Sequence, residues 1–310
     1  MKVLFLGTAE FACPTLEALL ASPHEVIGVV TQPDRPKGRG QKTIATPVKS
    51  LARKAGLPVH QPEKIRDPAF LKILESIKPE LMVVAAYGQI LSAPVLAVPP
   101  RGGVNVHGSL LPKYRGAAPI VRAILGGETR TGITTMFMDP GMDTGPILLA
   151  EETDIGEEDT AGTLHDRLAR IGARLLLRTL EGLETNTIIP KPQDPTLATL
   201  APKIEKEEAR IRWSAPARQT FNQIRAFDPW PGAFTLLAGR ILKLFRPRLM
   251  EGGAQEPPGT IVRASHEGLR VAASQGYLLV REAQMESRPR MRVSDFLRGN
   301  PLAPGERLGE

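Results

Sequence analysis

Residues 67–86 read Asp-Pro-Ala-Phe-Leu-Lys-Ile-Leu-Glu-Ser-Ile-Lys-Pro-Glu-Leu-Met-Val-Val-Ala-Ala, and two periodicities meet within them. Phe70, Leu71, Leu74 and Ile77 recur at helical spacing, whereas 81–86 is an unbroken apolar run of strand length. Toward the N-terminus the same alternation repeats, with strands at 2–6 and 25–31 and helices at 11–21 and 47–55. Repeated strand–helix–strand units predict an α/β fold with a doubly wound, mostly parallel sheet, whose ligands bind at the carboxyl ends of the strands. The first strand runs into Gly7-Thr8-Ala9-Glu10 rather than Gly-x-Gly-x-x-Gly, so a dinucleotide fingerprint is missing.

Moving outward in the other direction, Gly103-Val104-Asn105-Val106-His107 alternates, so Asn105 and His107 project from one side of an extended strand. An amide offers N–H donors to an oxygen gaining negative charge, and an imidazole donates a hydrogen bond or moves a proton near neutral pH. That pairing suits attack on a carbonyl. Ser109-Leu110-Leu111-Pro112 then breaks the strand into a loop, and 117–125 reads as a helix. A second strand-like run, 132–138, leads into Met138-Asp139-Pro140-Gly141-Met142-Asp143-Thr144-Gly145-Pro146, a tight loop with an acid at its tip. Asp143 is placed to orient His107 or to accept a proton, and Asp139 at the strand exit reads as a turn former. Tyr87-Gly88, Asn105, His107 and Asp143 all fall at or beyond strand ends, where the strand-end rule puts a ligand.

A helix over 159–183, with Leu164, Leu168, Ile171, Leu175 and Leu176 as its apolar stripe, closes the first domain. The proline-rich stretch 190–206 reads as a linker between a catalytic domain, 1–189, and a C-terminal domain, 207–310. After a helix at 215–227, short alternating segments at 233–237, 240–245, 259–262, 269–273 and 277–282 predict a small β-barrel of the oligonucleotide-binding kind. Residues 1–190 carry 21 Lys and Arg against 20 Asp and Glu, and 191–310 carry 19 against 13, so +6 of the net +7 lies in the second part. Such an excess points to a nucleic-acid partner, with Lys243, Arg246, Arg248, Arg270, Arg288, Arg290 and Arg292 as candidate phosphate contacts. A further patch lies at 31–54, with seven basic residues against Asp34 alone. The single Cys13 excludes an internal disulfide, and the scattered histidines lack metal-ligand spacing, so no metal is expected. No apolar run reaches the roughly 18 residues of a membrane span, and the expected location is the cytoplasm.

Asn105-x-His107, the Ser109–Pro112 loop with Tyr114-Arg115-Gly116-Ala117-Ala118-Pro119, and Asp143 in Gly141-Met-Asp-Thr-Gly145 together resemble the 10-formyltetrahydrofolate-dependent formyltransferases. Thr31-Gln-Pro-Asp-Arg-Pro-Lys-Gly-Arg-Gly40, Lys206-Glu-Glu-Ala-Arg-Ile211 and Ile224-Arg-Ala-Phe-Asp-Pro-Trp-Pro231 are similar to the branch of that family that formylates initiator methionyl-tRNA, so the likeness covers nearly the whole chain. The resemblance implies a Rossmann-like formyl-transfer domain and a tRNA-binding C-terminal barrel in a monomeric enzyme serving translation initiation. It implies Asn105, His107 and Asp143 as the catalytic set, and Tyr87, Gly88, Ile90, Ser109, Leu110, Leu111, Pro112 and Asp139 as contacts to 10-formyltetrahydrofolate. It further implies tRNA contacts from Lys37, Arg39, Lys42, Lys203, Lys206, Lys243 and Arg246, with Arg39 probing the acceptor end. A formyltransferase acting on a small amine, or a formylfolate hydrolase, would use the same three residues at rates insensitive to RNA. A non-enzymatic folate- or RNA-binding regulator would bind without turnover.

Overall fold

The computed structural model describes residues 1–37 and 42–309, and of Lys37 and Lys42 only the backbone. The chain divides into two compact units, Met1–Pro119 with Arg130–Asp154 and His165–Pro202, and Ile120–Thr129 with Ile155–Leu164 and Lys203–Glu310.

The first unit is built on β1 (Lys2–Gly7), β2 (Glu25–Val30), the hairpin β3 (Arg35–Lys37) and β4 (Lys42–Ile44), then β5 (Val59–His60), β6 (Leu81–Ala85), β7 (Gly103–His107), β8 (Arg130–Phe137) and β9 (Ile147–Asp154). Outside the hairpin these form one sheet in the order β5-β2-β1-β6-β7-β8-β9. The strands from β5 to β7 are parallel, and β8 and β9 are antiparallel to their neighbours. Every residue of β6, and all of β1 beyond Lys2, is buried, as the continuous apolar runs of a sheet covered on both faces require. The helices in chain order are α1 (Cys13–Leu20), α2 (Pro47–Lys54), α3 (Pro68–Ile77), α4 (Ala93–Leu96), α5 (Pro119–Leu125), α6 (Ala161–Glu184), α7 (Ala217–Ala226) and α8 (Val293–Gly299), and those beside the first sheet start as their sequences dictate. Thr46 Oγ1 caps α2 (Pro47–Lys54) by accepting from Lys49 N at 3.1 Å, and Asp67 Oδ1 caps α3 (Pro68–Ile77) by accepting from Ala69 N at 2.9 Å, each with proline in the first turn.

The 24-residue helix α6 (Ala161–Glu184) carries Leu168, Leu175, Leu176 and Leu180 wholly buried. A Cβ on its Gly172 would lie 2.8 Å from Val106 Cγ1, so this turn of α6 must be glycine to rest against β7. The helix thereby occupies the Val106 side of the strand. Alternation then sends Asn105 and His107 to the opposite side.

The sense of β8 alters one step of the sequence argument. Phe137, at its carboxyl end, pairs with Val104, while His107 pairs with Thr134. The exit of β8 therefore lies at the far end of β7 from His107, and the strand-end rule does not by itself bring Asp143 to the site. The loop between β8 and β9 achieves it by doubling back along the sheet. Two glycines permit that path: a Cβ at Gly145 would sit 1.9 Å from the Phe137 carbonyl oxygen, and one at Gly141 2.0 Å from Thr144 Oγ1.

In the second unit, β10 (Phe234–Leu237), β11 (Arg240–Met250), β12 (Ile261–Ser265), β13 (Gly268–Ala272) and β14 (Tyr277–Met285) form an antiparallel sheet in the order β10-β11-β14-β13-β12, with β15 (Met291–Arg292) beside β14. Five of these strands fall where the alternating segments predict them, and where a small β-barrel is expected they form, with β15, one antiparallel sheet. The helix α7 (Ala217–Ala226) buries Phe221 and Ile224, and Arg225 lies against its side with Nη1 donating to the Gly156 and Asp159 carbonyls at 2.7 and 3.0 Å. Asp228, just past the helix, accepts both ends of the Arg290 guanidinium at 2.8 and 3.2 Å. No helix among the described residues is long and apolar enough to cross a membrane.

Candidate active site

At the end of β7, His107 is 5% exposed and its Nε2 lies 2.9 Å from the Tyr114 carbonyl oxygen. A carbonyl only accepts, so Nε2 carries a hydrogen and donates it. That leaves Nδ1 as the ring atom that can take up a proton and give it back. It faces Asp143 Oδ2 at 3.6 Å, beyond hydrogen-bond length but within ion-pair range. Asp143 Oδ1 accepts from Asn105 Nδ2 at 3.3 Å, and Oδ2 accepts from Gly116 N at 2.8 Å. Amide, imidazole and carboxylate, 38 residues apart at the extremes of sequence, thus meet around one point. Asp143 holds this position with φ +55, in the left-handed region that aspartate tolerates better than most residues.

The Ser109–Pro112 loop is fastened from beneath. Ser109 is wholly buried, its hydroxyl donates to the Lys113 carbonyl at 2.6 Å, and its carbonyl accepts from Thr134 Oγ1 at 2.7 Å. Thr134 Oγ1 also accepts from Leu111 N at 3.1 Å. Ser109 therefore shapes the loop through its own hydrogen bonds, and Leu110 is its more accessible apolar residue. Asp139 forms a staple within its loop, accepting from Gly141 N at 3.0 Å and from Thr144 Oγ1 at 2.7 Å. Tyr87 belongs to the hydrophobic core with Leu4, Leu6 and Met82, burial pushes its phenol up, and its hydroxyl has no hydrogen-bond partner among the described residues. Its carbonyl accepts from Thr8 Oγ1 at 2.8 Å. Gly88 follows with φ +86, and Ile90 is 73% exposed in the same loop after β6.

One feature of the site carried no signal in the sequence. Residues 191–201, expected as part of a linker, are bound along the site loops. Lys191 and Ile147 exchange backbone hydrogen bonds of 2.8 Å, Arg115 N donates to the Thr199 carbonyl at 2.8 Å, and Ala201 N to the Arg115 carbonyl at 2.7 Å. Within this segment Gln193 bonds the Asp143 loop and Arg115 together. A Cβ at Gly116 would approach the Ala201 carbonyl oxygen to 2.8 Å, which explains a glycine where the two segments meet.

The basic residues behave less uniformly than their charge implied. Arg39 lies outside the described residues, as do the side chains of Lys37 and Lys42. Lys203 and Lys206 are exposed. Lys243 is half-buried and its Nζ donates to the Pro231 carbonyl at 2.7 Å, so its charge serves a turn. Arg246 is exposed, with φ +50, and lies 3.5 Å from Glu282. Arg290 is held by Asp228 and Glu282 and stacks on Phe245 at 4.0 Å, and Arg270 stacks on Tyr277 at 4.1 Å. Arg248 and Arg263 are exposed and form no ion pair among the described residues. Cys13 is half-buried, and burial together with Glu17 and Glu10 pushes its thiol up, the opposite of an activated nucleophile. Among the described residues no cluster of three metal-ligating side chains occurs.

On a mostly parallel sheet, an amide, an imidazole and a carboxylate around one point are groups that can hold a developing oxyanion and move a proton. Residues 1–180 match the formyl transferase family, and residues 203–301 match the formyl transferase C-terminal domain. The chain belongs to the formyl transferase family. Over 309 residues, covering 100% of this chain and 99% of its relative, it is 51% identical to methionyl-tRNA formyltransferase of Syntrophus aciditrophicus (strain SB). It is 50% identical over 308 residues, 99% of this chain and 96% of the other, to methionyl-tRNA formyltransferase of Pelobacter propionicus. The fold is shared with an N-formyltransferase of Helicobacter canadensis crystallised with folinic acid and dTDP-3-aminofucose, at a TM-score of 0.68 and 20% identity over 92% of this chain and 99% of that one.

Proposed function

We propose that this protein transfers the formyl group of 10-formyltetrahydrofolate to the α-amino group of methionine on initiator tRNA, in the cytoplasm and for translation initiation. The observation that carries the reading is the meeting of Asn105, His107 and Asp143, with full-length identity near one half to methionyl-tRNA formyltransferases supporting the choice of acceptor. The residues present fit such a donor. An amide N–H of Asn105 stands beside a carboxylate, and exposed Ile90 (73%) and Met142 (49%) give apolar surface on the two loops expected to flank a flat ring. When bound, 10-formyltetrahydrofolate supplies an electrophilic formyl carbon.

The chain's own groups then have distinct tasks. Asn105 Nδ2 has one N–H directed to Asp143 and a second for the carbonyl oxygen that gains negative charge as the amine attacks. His107, fixed through Nε2 on the Tyr114 carbonyl, takes up and gives back a proton at Nδ1. Asp143 Oδ2 faces that atom and is the acceptor for the proton that the attacking nitrogen releases, and the same proton is available to the donor nitrogen that departs as its bond to the formyl carbon breaks. The Gly116 N–H and the Asn105 amide keep the carboxylate aimed while this occurs. No enzyme nucleophile is required, and position and electrostatics do the rest. In the second unit, exposed Lys203, Lys206, Arg248 and Arg263 are the proposed phosphate contacts.

The test is direct. The purified protein is incubated with 10-formyltetrahydrofolate and either charged initiator methionyl-tRNA or free methionine. Formylated product with the charged tRNA alone is expected. Equal formylation of a small amine, or deformylation of the donor without an acceptor, would overturn the reading.

A further inference from the structure

We infer that Gln193 is a positioning residue for Asp143, and this rests on the function proposed above. Gln193 lies in the segment that returns to the site after α6, and all four of its side-chain hydrogen-bonding positions are used. Its Nε2 donates to the carbonyl oxygens of Asp143 and Gly145, both at 2.8 Å. Its Oε1 accepts from Arg115 Nε at 3.1 Å and Arg115 Nη2 at 2.7 Å. The chemistry of the partners settles which end of the amide is which, because carbonyls only accept and a guanidinium only donates.

The contacts close a ring. Gln193 holds the backbone of Asp143, the Asp143 carboxylate accepts from Gly116 N at 2.8 Å, and Gly116 follows Arg115, which returns to Gln193. One side chain therefore controls both members of the contact that aims the carboxylate. The hold has work to do, since Asp143 keeps a left-handed φ of +55 in a loop that doubles back from β8. A residue other than glycine in that region is strained and persists only where its surroundings over-determine it. Gln193 touches only the backbone of Asp143, so it acts on the placement of the carboxylate and not on its chemistry.

Gln193→Glu separates these roles: it keeps the shape and the acceptor for Arg115 but removes both donors to the loop, and Gln193→Ala removes everything. In formyl transfer at saturating substrates, each variant is expected to lose 10- to 100-fold in kcat, the scale of a misplacement near 1 Å, with KM changed less than threefold. In an Asp143→Asn background the same changes should cost less than twofold, because the group being positioned is already lost. Hydrogen exchange at the Gly116 amide supplies a readout independent of turnover. Its protection should fall at least tenfold in Gln193→Glu while amides of the distant strand β2 keep theirs. Equal losses in both backgrounds, a loss confined to KM, or unchanged Gly116 protection would overturn the inference. Absence of product with the unsubstituted protein would instead overturn the proposed function and leave the exchange measurement to judge Gln193.

Discussion

Asn105→Ala separates the amide's two tasks by magnitude. In the resting site its hydrogen bond to Asp143 Oδ1, the one its side chain makes among the described residues, is long at 3.3 Å, so its contribution to folding is at the weak end of the usual 0.5–1.5 kcal/mol. During attack the same amide meets an oxygen that gains a full charge in a partly buried site, where losing one donor raises the barrier by about 2.7–4 kcal/mol. At 1.36 kcal/mol per decade this is roughly a 100- to 1,000-fold fall in kcat. Asn105→Asp is expected to be worse still, because it replaces a donor with a second carboxylate against Asp143 Oδ1. Single-turnover formylation with both substrates saturating measures the chemical step, and a urea midpoint measures stability. The expected result is a large loss in rate with a stability change below about 1.5 kcal/mol. A rate within threefold of the unsubstituted protein, or a loss entirely in KM, would refute the oxyanion role.

Three further outcomes follow from other parts of the structure. Gly132→Ala would place a Cβ 2.2 Å from the Glu151 carbonyl oxygen and 2.5 Å from Leu110 Cδ2, so it should destabilise by about 3 kcal/mol, the upper end for overpacking, whereas Gly253→Ala, with open space around it, should be neutral in the same urea titration. The Asp34 carboxyl is held below the usual carboxylate range by its hydrogen bonds from Lys49 and then Gln61. A depressed pKa contributes stability that is present above the unfolded value of about 3.9 and is lost as pH falls through the lower folded value. The difference in urea midpoint between the unsubstituted protein and Lys49→Met should therefore be present at pH 7 and shrink below about pH 3.9; an equal difference at pH 3 would contradict this. Binding of methionyl-tRNA should weaken with salt, with a log–log slope near 0.7–0.9 per neutralised phosphate, and Arg248→Ala or Lys206→Ala should each lower that slope by about one contact while Lys243→Ala should not.

The parts of the molecule legible in the sequence are those in which one local pattern has one physical meaning. β1 and β6 read as strands because a strand covered on both faces must be apolar throughout, and α6 because its leucines keep one face. Asn105 and His107 were legible as a pair because spacing alone puts them on one side of β7. The edge strand β9 was not, since Ile147–Asp154 buries little along its length and carries acids that read as loop. Neither was the sense of β8, because direction leaves no trace in composition. Asp143 was found by its loop chemistry, but the path that brings it to Asn105 depends on Gly141 and Gly145, whose close approaches only coordinates reveal. Gln193 had no signal, since a glutamine between prolines looks like connector. Charge counting located a basic second half but could not tell Arg248, in solvent, from Lys243, which donates to a carbonyl.

Formyl transfer by this chain requires amide, imidazole and carboxylate to act on a single carbon. Its most direct test is a crystal structure with a stable 10-formyltetrahydrofolate analogue bound. The formyl oxygen is expected about 2.7–3.1 Å from Asn105 Nδ2, with His107 Nδ1 and Asp143 on the side from which the amine approaches. A formyl group lying beyond the reach of all three side chains would contradict it.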